Sequence, residues 1–459
     1  RHRGTGSARP LVSPPARGLA GAKRSLGVND LTEFRTITRH AATVLAGQLA
    51  TMAFGVTDTI VAGRHSSEAL AALSIGSAIF VSVYVALMGV MQALMPVWAE
   101  LHGAKRMSDV GRSVRQALYL SAATMLLGMA VLMFPGALMR WTDVPLAVQA
   151  DVGNYLSVLA WALPAALLFR IFSTLNQSLG HPRLVTWLQL GSLLVKVPLT
   201  LWFALGGWGL EPQGATGCAW ATLVVNYTLL GLAIWLLRTQ TLYRPYRIWQ
   251  RMERPNRSEL MAFARLGIPA GLAIMVEVTS FTLMALFIAR QGTTASASHQ
   301  IASNLAAVLY MVPLSIAIAT SARVSYWLGA ADPARARAVV GMGLRLAACM
   351  ALLLSACLFM LRAPLAAAYT PHPDVIAGAS VLLAWVACYH LADAMQAMGV
   401  FVLRCYRITI APLLTYCILL WGVGLGGGAL LAYQGLGPWG PLHTPSAFWI
   451  MGSAALGIT

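Results

Sequence analysis

Again and again along the chain, an apolar stretch of roughly twenty residues or more is followed by a short turn rich in Gly, Pro and charge. A stretch of that length satisfies its backbone hydrogen bonds in a bilayer by folding as a helix that spans it. The spacing predicts helices near 37–62, 69–99, 112–134, 148–178, 184–206 and 214–237. Six more are expected near 261–289, 295–326, 337–361, 375–403, 408–434 and from 445 onward. The closing run "SAFWIMGSAALGIT" is shorter than a span and reads as a truncated last helix.

Composition agrees with this and leaves little for soluble domains. The 459 residues are 58% hydrophobic and only 10% charged, with mean hydropathy +0.69. The net charge of +17 is not gathered into one patch interleaved with exposed aromatics, so no nucleic-acid partner is expected. The six cysteines lie in or beside apolar segments without metal-ligand spacing and read as small core residues. Residues 1–35 open with "RHRGTGSARPLVSPPARGLAGAKRSLGV", which has no apolar core for a signal peptide and is expected to be a basic, disordered tail.

Numbering the spans puts Lys105, Arg106, Arg115, Arg183, Arg335, Arg404 and Arg407 in loops on one side, and only Arg64, Arg140, Arg290 and Arg362 on the other. That asymmetry places both termini in the cytoplasm. The segment "RTQTLYRPYRIWQRMERPNR", from Arg238, runs into a basic cytoplasmic linker, 239–260, between an N-lobe of residues 36–238 and a C-lobe of residues 261–459. Its charge suits a position beside anionic lipid.

The two halves repeat. Setting "SSEALAALSIG" against "GTTASASHQIA" gives an offset of 226 residues (Ser66 to Gly292), which also pairs Gly103-Ala104 with Gly329-Ala330. An offset of 224 later pairs Leu159-Ala160-Trp161 with Leu383-Ala384-Trp385. Six helices per half brings both halves in from the same side, a parallel repeat suited to a rocking transporter. The expected fold is an all-α polytopic membrane protein: twelve transmembrane helices in two six-helix bundles related by a pseudo-two-fold axis along the membrane normal.

Three acids stand inside the apolar runs: Asp58 in "MAFGVTDTIVAG", Glu277 in "IMVEVTSF" and Asp393 in "CYHLADAMQAMG". A charge there is costly, about 3 kcal/mol on insertion scales, and marks a functional site unless it only staples helices together. Such carboxylates exchange protons or, where oxygens converge, hold a sodium ion. Tyr389, one turn before Asp393 on the same face, is a candidate wall for a cation held by Glu277 and Asp393. Lys196 in "GSLLVKVPLT" is a lysine at a helix centre, and Asp58 is the intramembrane acid of the same half. Either the two pair, leaving Glu277 and Asp393 to titrate, or Lys196 lines a wet cavity unpaired.

The stretches "VTDTIVAG", "LMPVWAELHGAKR", "GIPAGLAIMVEVTSFTLMALFIA", "SHQIASN", "VPLSIAIATSARVSYWLGA" and "CYHLADAMQAMGVFVLRCYR" together resemble the multidrug and toxic compound extrusion (MATE) family, in its bacterial NorM-like branch. The resemblance runs from about residue 36 onward. It implies a two-lobed antiporter of the bacterial inner membrane that is not an enzyme. It would expel organic cations and amphipathic drugs in exchange for sodium ions or protons, without a cofactor and as a monomer. It also maps the family's cation site onto Glu277, Tyr389 and Asp393, and its N-lobe acid onto Asp58. Departures are Thr43 where the family carries a first-helix proline, Lys196 where it often has asparagine, and His390 where relatives often have glutamine. The alternative is a flippase of lipid-linked saccharides, whose cavity should be strongly cationic. An intramembrane aspartyl protease lacks its GxGD motif here.

Overall fold

With no water in a bilayer to meet peptide groups, the apolar runs close their hydrogen bonds internally as helices. A computed structural model describes residues 19–136, 146–207, 209–435, 437–438 and 440–458. The first half contains α1 (Leu19–His65), α2 (Ser67–Gln92), α3 (Met95–Gly103), α4 (Met107–Met133), α5 (Leu146–Ser178), α6 (Pro182–Leu205) and α7 (Gly214–Thr239). The second contains α8 (Arg257–Ala289), α9 (Thr293–Gly329), α10 (Pro333–Tyr369), α11 (Pro373–Cys405), α12 (Ile410–Tyr416), α13 (Gly428–Tyr433) and α14 (Ser446–Ile458). Among the described residues, eleven helical stretches are long and apolar enough to cross a membrane, and α14 is a shorter apolar helix.

Several boundaries differ from those expected. The disordered tail was expected through residue 35, but residues 19–35 are the opening turns of α1, which no proline interrupts past Pro15. Residues 1–18 lie outside the described residues. The second span breaks into α2 and α3 at Ala93-Leu94, because Pro96 offers no N–H and its ring crowds the carbonyl four residues back, at Gln92. Where the family's first-helix proline would stand, Thr43 donates its hydroxyl to the Arg39 carbonyl at 2.7 Å, and α1 runs on as one helix. Between α12 and α13, Cys417–Gly427 winds as a π-helix; four of its eleven residues are glycine, which accommodates the wider turn.

Each half packs as its own bundle. In the first, α5 runs through the centre against α2, α4 and α7, with Leu156, Leu159, Leu163 and Leu167 fully buried. In the second, α9 and α11 occupy that place, against α10 and α14. The bundles meet where α2 packs on α8 and where α1 and α3 pack on α9. The tightest contact obeys the internal repeat. A β-carbon on Gly103 would stand 1.9 Å from the Tyr326 carbonyl oxygen, and one on Gly329 would stand 1.9 Å from the Glu100 carbonyl oxygen. Gly103 and Gly329, aligned by sequence, each press on the backbone at the other helix's equivalent position.

This contact sits at the face bearing the basic loops. Around it, Arg407 donates to Glu100 at 2.5 Å, and Arg323 pairs with Glu33 of α1, which also accepts from Trp327 Nε1 at 3.2 Å. The linker between α7 and α8 starts with a 3-10 turn, Thr241–Tyr246, and is fastened to α4. Arg115 pairs with Glu253 and donates to the Arg247 carbonyl at 2.6 Å, and Gln116 donates to the Arg254 carbonyl at 3.1 Å. Arg115, expected in a loop, is therefore a buried helical residue that ties the linker down.

Candidate transport site

The interior charges fall into two groups, one per bundle, and they are neutralised differently. In the first bundle α1 supplies Asp58, and α6 supplies Lys196, which is 0% exposed. Lys196 Nζ lies 2.7 Å from Asp58 Oδ1 and 3.0 Å from Oδ2, and donates to the Cys218 carbonyl at 3.2 Å and the Thr222 hydroxyl at 2.7 Å. Thr200 donates to Asp58 Oδ1 at 3.3 Å. An ammonium has three protons to give. Here each finds an acceptor, so of the two arrangements open from the sequence the structure adopts the ion pair.

The second bundle brings Glu277 of α8 and Asp393 of α11 within reach of each other's charge. Asp393 is 5% exposed, whereas Glu277 is half-buried. Tyr310 of α9 is directed at Glu277, and Tyr389 of α11 and Tyr416 of α12 close the group from other sides. Neither carboxylate makes an ion pair among the described residues. Tyr389 also packs edge-on against Phe281 and Trp449, with ring centroids 6.0 and 5.3 Å away, which holds its hydroxyl end near Asp393. A cavity of about 580 Å³ opens beside this group, lined by Met395, Gln396, Gly399, Val400, Thr415 and Tyr416.

Three residues of this interior escape the sequence reading. Tyr310 carries no signal, since a tyrosine in an apolar run is usually packing. Arg404 was expected in a loop, but it is 3% exposed in the last turn of α11, its guanidinium 4.6 Å over the Phe401 ring, and it acts on Glu277 electrostatically without an ion pair. Arg170, inside the run "ALPAALLFRIFSTL", is likewise buried in α5. A cation inside an apolar run was its signal, as it was for Lys196.

Two parallel-repeated helical bundles, with ionisable groups inside the spans and a cavity beside those of the second, define a polytopic membrane transporter. The profile of the MatE family matches twice, at residues 44–202 and 269–429, once in each half and at the spacing of the internal repeat. The chain belongs to the MatE family of transporters and is not an enzyme. It is 38% identical over 398 residues to the probable multidrug resistance protein NorM of Aromatoleum aromaticum, spanning 87% of this chain and 86% of that one. The solved MATE transporter NorM-NG, in complex with R6G and a monobody, is 27% identical, with TM-score 0.76 over 91% of this chain and 90% of that one. The eukaryotic MATE transporter AtDTX14 shares the fold at 18% identity, with TM-score 0.82 over 94% of each chain.

Proposed function

We propose that the chain couples entry of sodium ions or protons to export of organic cations and amphipathic drugs across the bacterial inner membrane. Relatives named as multidrug resistance proteins, and a solved neighbour holding R6G, support the cargo class. The observation that carries the coupling is the contrast between bundles. Asp58 is already matched by Lys196, whereas Glu277 and Asp393 share one oxygen-rich group that no cationic side chain among the described residues contacts.

In this reading an external sodium ion or proton binds at Glu277 and Asp393, beside Tyr389, and favours a state with low affinity for the drug, which leaves outward. The emptied protein releases the ion and returns to capture cargo from the cytoplasm or inner leaflet. The ion shifts the equilibrium only by its unequal affinity for the two states. The N-lobe and C-lobe rock as units, in a monomer with both termini cytoplasmic and the basic linker beside anionic lipid. With the basic face inward, the glycine contact at Gly103 and Gly329 closes the cytoplasmic side. Apolar and aromatic walls hold the drug, and carboxylates attract its positive charge.

The test is dye efflux from proteoliposomes under an imposed sodium gradient and, separately, an imposed pH gradient. Uphill dye movement under at least one gradient, lost in Glu277→Gln, is the expected result. Movement that only dissipates the dye gradient, or normal uphill export by Glu277→Gln, overturns the proposal.

A further inference from the structure

Arg170 is a buried cation that the coupling scheme does not use. It is 8% exposed, no oxygen among the described residues faces its Nε, and its Nη2 rests against the Met88 sulfur of α2. α2 and α5 run the same way, since Gly76 meets the Tyr155 ring and Met88 meets Arg170 further along both. One turn beyond that contact stand Gln92 on α2 and Thr174 on α5, with Gln177 a turn further along α5. Each is buried with a polar atom left over: Gln92 Nε2, Thr174 Oγ1 and Gln177 Oε1. In the other direction along α2, Met88, Tyr84 and Phe80 are half-buried on one face, with the two rings stacked at 5.7 Å. The arrangement is a guanidinium, an amide N–H and a hydroxyl at the foot of an aromatic wall.

Unpaired charge inside a membrane protein marks a pathway or a ligand rather than stability. Asp58 is held by Lys196, and no acid among the described residues forms an ion pair with Arg170. Donors outnumber acceptors, and a guanidinium takes a carboxylate in two parallel hydrogen bonds. We propose that Arg170, with Gln92 and Thr174, forms an anion-accepting subsite for the carboxylate of cargo that also carries a positive charge. This rests on the efflux reading and deepens it. A zwitterionic compound would place its anionic end on the first bundle and its cationic end toward the carboxylates of the second.

The probes are a rhodamine ethyl ester and its free acid, which share the cationic ring system and differ in one carboxylate. Binding to the purified protein is read by fluorescence anisotropy. Arg170→Gln should weaken the acid about tenfold and leave the ester within about twofold, while Arg170→Lys, keeping the charge, should weaken the acid only about threefold. Thermal unfolding and gel filtration of both variants report their integrity, and Arg170→Lys carries the test should Arg170→Gln fail to fold. An equal loss for ester and acid, or no change for either, overturns the subsite alone. If the unaltered protein binds neither dye, the efflux reading falls, and the subsite with it.

Discussion

Lys196 Nζ stands 2.7 Å from Asp58 Oδ1, joining α6 to α1 inside the first bundle with every ammonium proton accepted. The pair is a closed unit. Its worth lies in being complete, because a buried charge stripped of its partner costs more than the pair contributes.

Replacing Lys196 with Leu should therefore destabilise the protein by about 3–5 kcal/mol, and adding Asp58→Asn should recover most of that loss. Thermal unfolding in detergent across the four members of this cycle checks it. Single-variant losses that simply add in the double variant would show that the two side chains are not coupled.

The second bundle should respond in the opposite sense. Glu277→Gln and Asp393→Asn each remove one of two neighbouring carboxylates inside the bundle, so each should abolish ion-coupled efflux while leaving the unfolding midpoint unchanged or higher. A midpoint lowered as far as in Lys196→Leu would recast these acids as structural.

Closure at the basic face should depend on packing more than on charge. The Glu100–Arg407 pair is over 40% exposed at both side chains, so Glu100→Ala should alter transport little. Gly103→Val or Gly329→Val drives carbon into a carbonyl oxygen with no side chain free to yield, and each should slow transport about tenfold or more. The two glycine variants should match, since the contacts are equivalent; initial rates of dye efflux decide.

Linker docking should weaken in acid. The Arg115 guanidinium, hydrogen-bonded to the half-exposed Glu253 carboxylate, lowers its pKa from 4.5 to about 2. A carboxylate held below its free value stabilises the docked form above that value and loses the contribution as it is protonated. Pepsin cleavage in the linker should accelerate as pH falls from about 4.5 towards 2, relative to Glu253→Gln, which should be loosened throughout and insensitive to pH. A constant ratio between the two proteins would contradict this.

Much of this organisation is legible in the sequence where the signal is local or repeated. The runs set the helices because backbone in lipid has no alternative, and Gly103 aligns with Gly329 because both serve the same contact. The Asp58–Lys196 pair is legible only as one of two arrangements, since an acid and a lysine inside one half can also face a wet cavity apart, and packing decides between them. Arg404 is not: it stands beside a loop next to Arg407, and only the packing of α11 against its neighbours buries it. Tyr310 reaches Glu277 from another helix 33 positions on, a meeting that only three-dimensional packing creates. The extra turns of α1 were hidden because a basic segment outside the apolar run looks like any solvated tail, while Glu33 within it finds Arg323 across the bundles.

The fastened linker limits how the halves can part. Gln116 grips it at the Arg254 carbonyl and again at the Asn256 amide, 3.0 Å away, so nearly all the chain between α7 and α8 travels with the first bundle. Little slack remains in the tether. Any large tilt must pivot at the first turn of α8 or bend that helix further along, where Pro269 already removes a rung from its ladder.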